Sequence, residues 1–119
     1  MDDEVLVRKT ATHMLESFGY AVETAADGRE ALETYATAME NGKPFDLAIM
    51  DLTIPGGMGG KEAIGKLLAL DPSARVIVTT GYFSDPVLAS YADYGFCGSL
   101  PKPFSLKDLK EIISLALNT

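Results

Sequence analysis

Along this chain the spacing of apolar residues changes repeatedly, from a helical repeat to a short continuous run and back again. That alternation limits the fold more than any other feature. From Glu4 to Phe18, the residues Val7, Ala11, Met14, Leu15 and Phe18 mark one helical face, and Gly19 stops it. Tyr20 to Ala25 reads as a short strand. Asp27 is placed to cap the next helix, with Glu30 three residues on completing a capping box. Ala31, Leu32, Tyr35, Ala36 and Met39 form the inward face of that helix, which ends at Asn41-Gly42-Lys43-Pro44. Leu47 to Leu52 is apolar except for Asp51. Such runs, apolar on both faces, belong to parallel strands covered by helices on each side. After a glycine-rich turn, a helix runs from Lys61 to Leu70. Arg75 to Thr80 is a β-branched strand, and Asp85-Pro86 opens a helix through Tyr94. Phe96 to Leu100 is a fifth strand, and Ser105 caps a last helix ending near Leu117. Strands alternating with helices imply βαβ crossovers and a mainly parallel sheet.

At 119 residues the chain has room for one core, with no linker, repeat or low-complexity segment. Its 17 acidic and 10 basic side chains give a net charge of −7, which argues against a nucleic-acid partner. The single cysteine, Cys97, excludes an internal disulfide framework and multi-cysteine metal sites. No apolar run approaches the roughly 18 residues of a membrane span. The acidic, amphipathic start does not read as a signal peptide, so no membrane partner and a cytoplasmic location are expected.

Ligands of open α/β sheets bind beyond the carboxyl ends of the strands, which directs attention to the residues there. Asp51 nearly ends the third predicted strand. A carboxylate in such a run needs a cation or hydrogen bonds to offset desolvation. Asp2 and Asp3 precede the first helix, where they would also serve as cap and first-turn acid. Three converging carboxylates would suit Mg²⁺, a cation that favours oxygen ligands. Thr80 ends the fourth strand, and Lys102 follows the fifth between Pro101 and Pro103.

The motifs Met1-Asp2-Asp3-Glu4, Met50-Asp51-Leu52-Thr53-Ile54-Pro55-Gly56, Val78-Thr79-Thr80-Gly81-Tyr82 and Leu100-Pro101-Lys102-Pro103-Phe104, in this order, resemble the receiver domain of two-component response regulators, of the chemotaxis-regulator type. The resemblance covers residues 1–119 as one receiver domain with no output domain. It implies a flavodoxin-like, doubly wound, five-stranded parallel sheet of order 2-1-3-4-5. It also implies that Asp51 is the phosphoacceptor, supplied by a histidine kinase or a histidine phosphotransfer protein. Lys102 and Thr80 would contact the phosphoryl oxygens. Mg²⁺ would be held by Asp3, Asp51 and the Thr53 carbonyl, with Asp2 acting through water. The Lys102-Pro103 bond is a cis candidate on the same analogy. Phosphorylation would alter partner binding through the fourth helix, fifth strand and fifth helix, toward an unknown downstream protein. No enzymatic activity is expected beyond the domain's own phosphoryl transfer and dephosphorylation.

The chain departs from the family pattern in two places. An aromatic residue usually stands three positions before the lysine, and here that position is Ser99, with Tyr94 and Phe96 earlier. Thr80 is therefore expected to move without a ring flipping at position 99. Only Met1 precedes the acidic pair, so the first strand is expected to be truncated, as in a piece cut from a longer protein such as a hybrid sensor histidine kinase. Other motifs carry less. No Gly-Lys-Ser/Thr follows Gly56, Gly57, Gly59 and Gly60, so they read as a flexible loop and not a nucleotide site. A phosphatase working through aspartyl phosphate needs a second aspartate at position 53, which is Thr. His13 reads as a surface residue, Cys97 as a small strand residue, and Tyr82, Phe83, Tyr91 and Tyr94 as shared between core and output surface. Thr53 and Tyr82 flank the site. A non-phosphorylated interaction module, a pseudo-receiver, stays open as the alternative function.

Overall fold

The computed structural model describes residues 1–81 and 85–118; the aromatic pair Tyr82 and Phe83 lies outside them. In chain order the elements are α1 (Val5–Ser17), α2 (Gly28–Glu40), β1 (Ala48–Asp51), α3 (Gly60–Leu70), β2 (Val76–Thr80), α4 (Pro86–Ala89), α5 (Tyr91–Tyr94), β3 (Gly98–Pro101) and α6 (Leu106–Leu117). The strands form a parallel sheet of order β1-β2-β3, with Ala48 opposite Val76 and Ile77 opposite Gly98.

Both faces of the sheet are covered, as the continuous apolar runs require. On one face Met50, Val76 and Val78 pack with Tyr35, Ile64, Leu67, Val87 and Phe96, contributed largely by α2, α3 and α4. On the other, Ile77 and Leu100 pack with Leu109, Ile113 and Ala116 of α6, flanked by Met14, Leu15 and Phe18 of α1. Val76 and Ile77 thus point to opposite clusters, as strand periodicity demands.

The helix ends follow local chemistry. The Asp27 side chain accepts from the Glu30 N–H at 2.9 Å, and the Asp85 side chain accepts from the Val87 N–H. Ser105 and Asp108 form a reciprocal capping box at the start of α6.

Three expectations need correction. The sheet has three strands among the described residues, not five, because Tyr20–Ala25 runs without a ladder. A strand needs a neighbour to pair with, and the place beside β1 holds only Met1 and Asp2. Met1 nitrogen donates to the Ile49 carbonyl at 2.7 Å, and the Asp51 N–H donates to the Met1 carbonyl at 3.0 Å, which is parallel pairing one residue long. On the far side, the Asp2 N–H donates to the Ala25 carbonyl. α1 has no buried residue, and Leu6, which lies off its inner face, is 77% exposed. Val7, Ala11, Met14, Leu15 and Phe18 share its inner face but are only half-buried.

The helix expected through Tyr94 is broken at Ser90, which leaves helical geometry at φ −126° and ψ 33°. Finally, β3 begins at Gly98, so Cys97 is an exposed residue just ahead of it and Phe96 is buried outside the ladder.

Candidate functional site

The carboxyl ends of the three strands bring the chemistry together. Asp51 is the last residue of β1 and Thr80 the last of β2, while Lys102 stands one residue beyond β3. The Lys102 N–H donates to the Thr80 carbonyl at 2.9 Å and carries the β2–β3 pairing past the strand end. The Lys102-Pro103 peptide is cis. From this point the Lys102 ammonium lies 2.5 Å from Asp2 Oδ2 and 3.0 Å from Asp51 Oδ2. Asp2, Asp51 and Thr80 are all buried.

Two carboxylates therefore share one cation. Burial works against ionised Asp2, but the Lys102 ammonium and the Glu4 N–H outweigh it and hold the carboxyl below its usual range. At Asp51 burial prevails over Lys102, and its pKa rises despite a further hydrogen bond from the Thr53 N–H. Burial disfavours the Lys102 charge too, yet the hydrogen bonds it donates to Asp2 and Asp51 leave its pKa raised. The Met1 ammonium, although burial lowers its pKa, lies close enough to both carboxylates to add positive charge beside them. A buried carboxylate that is only partly compensated is a ready place for a cation or an electrophile.

The other expected residues sit around this core. Asp3 is exposed, and its carboxylate oxygens lie within 4.8 Å of those of Asp2 and Glu4. Glu4 was not singled out from the sequence. Asp51 instead faces Asp2 across the Lys102 ammonium, so Asp2 and Asp51 converge on the lysine and Asp3 does not reach it. Thr53 is exposed and touches Asp51 through its backbone. Ser99 is half-buried in β3, Tyr91 packs against the core, Tyr94 is 36% exposed and His13 is exposed.

The glycine-rich turn is more constrained than the flexible loop its composition implies. A Cβ on Gly59 would lie 2.3 Å from the Leu52 carbonyl oxygen, and one on Gly60 would lie 2.9 Å from that of Asp51. The start of α3 therefore presses directly on the Asp51–Thr53 segment. That contact closes a turn of fewer than ten residues, and no composition signal reports it. A second residue missed from the sequence is Arg8, whose Nη1 donates to the Asp2 carbonyl at 2.8 Å.

Comparison with known proteins identifies the family and the fold. A family profile described as "Response regulator receiver domain" matches residues 1–114. The chain is 38% identical over 112 residues to the sensor kinase CckA of Brucella abortus, covering 92% of this chain but 11% of that protein. It is 33% identical over 118 residues to the chemotaxis protein CheY of Treponema pallidum, covering 98% of this chain and 79% of that protein. A CheY-like receiver domain protein from Methanospirillum hungatei superposes with a TM-score of 0.81 at 32% identity, covering 98% of this chain and 89% of the other. Some relatives are thus far longer than this chain and others of similar length. Among the described residues, no helix is long and apolar enough to cross a membrane.

Proposed function

The chain belongs to the response-regulator receiver family, and on that premise we propose that it is a phosphorylation-dependent switch whose phosphoacceptor is Asp51. Receiver domains take phosphoryl groups from histidine kinases or phosphotransfer proteins. In this reading a carboxylate oxygen of Asp51 attacks the phosphorus of a partner's phosphohistidine. The P–N bond breaks, its electron pair leaves with the imidazole, and an acyl phosphate forms on Asp51. The observation that carries the reading is the Lys102 ammonium held between Asp2 and Asp51 at the strand ends. A fixed cation beside the acceptor is what phosphoryl transfer needs, since catalysis of that step is positioning and charge stabilisation.

Receiver domains bind Mg²⁺ at an acidic pocket, and Asp2, Asp3 and Glu4 form an acidic cluster here. Its all-oxygen donors suit that hard cation. We assign Asp3, Asp51 and the Thr53 carbonyl as its protein ligands, with Asp2 acting through water. When bound, Mg²⁺ supplies positive charge against the phosphoryl oxygens. Lys102 pairs with one such oxygen, and the Thr80 hydroxyl turns toward another.

An added phosphoryl carries roughly −1.5 to −2 charges. It draws Thr80 inward and changes the surface formed by α4, α5, β3 and α6, where a downstream protein binds. Ser99 leaves no ring to follow Thr80 at that position. Receiver domains are typically signalling modules and not enzymes, and the only chemistry assigned to this chain is on its own Asp51.

The test is incubation with acetyl phosphate and Mg²⁺ followed by intact mass. The wild type should gain one phosphoryl group, and Asp51→Asn should gain none. An unmodified wild type, or equal labelling of Asp51→Asn, would overturn the assignment.

A further inference from the structure

Arg8 is a half-buried cation that the chemistry above leaves unused. It stands in the first turns of α1 and donates from Nη1 to the carbonyl of Asp2. Asp2 is consequently held at four atoms. Its N–H donates to the Ala25 carbonyl at 3.1 Å, and Oδ1 accepts from the Glu4 N–H at 3.0 Å. Oδ2 pairs with Lys102, and the carbonyl accepts from Arg8 at 2.8 Å. Three of these partners lie in loops or beside Asp2 itself. Beyond the Glu4 N-cap, Arg8 ties it to the body of α1, which has no buried residue with which to grip that segment by packing.

We propose that Arg8 is a positioning residue: through the Asp2 carbonyl it fixes the Asp2–Asp3 backbone and so sets the acidic oxygens for a divalent cation. The inference rests on the reading of that cluster as the Mg²⁺ pocket. Groups that orient ligands from one shell out typically change metal affinity 10–100-fold when removed.

The sign of the effect separates positioning from mere charge. A cation near the pocket repels Mg²⁺, so if Arg8 acted only through its charge, removing it would tighten Mg²⁺ binding. If it acts by position, removal weakens binding. Arg8→Met keeps most of the apolar stem and its packing while deleting the donor. Mg²⁺ titration followed by NMR should give a dissociation constant about tenfold higher than wild type for Arg8→Met. Arg8→Lys, which can still donate to the carbonyl, should recover most of the loss. Lys9→Met, an exposed neighbour with the same charge change, should bind Mg²⁺ no more weakly than wild type. Hydrogen exchange at the Asp2 amide should quicken in Arg8→Met and not in Lys9→Met.

Mg²⁺ binding by Arg8→Met as tight as wild type or tighter, or unchanged Asp2 exchange, would overturn the proposal. If Arg8→Met does not fold cooperatively, Arg8→Gln, which is uncharged and too short to reach, is read in the same way. Neither measurement uses a phosphoryl donor, so failure of the phosphoacceptor reading shows separately in the acetyl phosphate experiment. A wild type that takes up no Mg²⁺ would defeat the pocket reading, and Asp2 exchange would then decide Arg8 alone.

Discussion

Asp2 and Asp51 divide one ammonium between them, and removing any of the three charges upsets the balance differently. Neutralising Asp51 leaves Asp2 and Lys102 as a matched pair. Asp51→Asn should therefore raise the urea midpoint at pH 7, by about 1 kcal/mol of stability, because an under-compensated buried charge is relieved. Lys102→Met does the opposite and leaves two buried carboxylates facing each other, which should cost about 3 kcal/mol in the same experiment. A second polar pair, with Tyr35 buried and Asp71 near the surface, offers a pH test. The Tyr35 hydroxyl donates to Asp71 Oδ2 at 2.7 Å. Burial and then that carboxylate hold the Tyr35 pKa above its ordinary value, while the Tyr35 hydroxyl and then Ser73 hold Asp71 below its own. The raised Tyr35 value gives stability present below about pH 10 and lost as pH rises through the folded value. The lowered Asp71 value gives stability present above about pH 4 and lost as pH falls through the folded value. Tyr35→Phe should accordingly cost about 1 kcal/mol at pH 7 by urea unfolding, with the difference narrowing below about pH 4. Asp51, Thr80 and Lys102 were visible in the sequence because polar residues at the ends of apolar runs stand out. Arg8 was not, since its partner is a backbone carbonyl and backbone atoms leave no mark on residue type.

At the scale of elements, what was legible is what local chemistry decides. Asp27 and Ser105 cap α2 and α6 through side chains three residues from their targets, and Ser105→Ala should cost about 1 kcal/mol by the same measure. What failed depended on distant partners. Tyr20–Ala25 has strand-like residues, yet a ladder requires a neighbour, and beside it stand only Met1 and Asp2. The helix from Pro86 was read through Ser90 because a serine in mid-helix is only mildly unfavourable. Its actual break is closed by the Ser90 hydroxyl donating to the Pro86 carbonyl. Gly59 shows that a partner only seven residues away can escape the sequence too. Its neighbours in sequence call for nothing but a turn, whereas the fold brings the Leu52 carbonyl to where a Cβ would be. Gly59→Ala must push the start of α3 off the Asp51–Thr53 segment. We expect a lower melting temperature together with slower acetyl phosphate labelling of Asp51, while Gly65→Ala, with open space at that position in mid-helix, should raise the melting temperature and leave labelling unchanged.

For the molecule as a whole, α2 to α5 on one face and α1 with α6 on the other leave the carboxyl ends of the strands as the place where residues far apart in sequence meet. Lys102 and Asp2 are 100 positions apart and in contact. The net charge of −7 is partly concentrated there. A cation that binds the folded site and not the unfolded chain must stabilise the fold by mass action, about 2.7 kcal/mol at a hundred times its dissociation constant. Melting curves at rising Mg²⁺ and fixed ionic strength should climb for the wild type and flatten for Asp3→Asn. The central claim is that Asp51 accepts the phosphoryl group, and reductive trapping tests it most directly. Borohydride reduces an aspartyl acyl phosphate to homoserine and leaves a free carboxylate unchanged. After treatment with acetyl phosphate and Mg²⁺, then borohydride, peptide mapping should find homoserine at position 51 and aspartate there when Mg²⁺ is chelated. Aspartate at 51 in both samples, or homoserine at another position, would contradict the account.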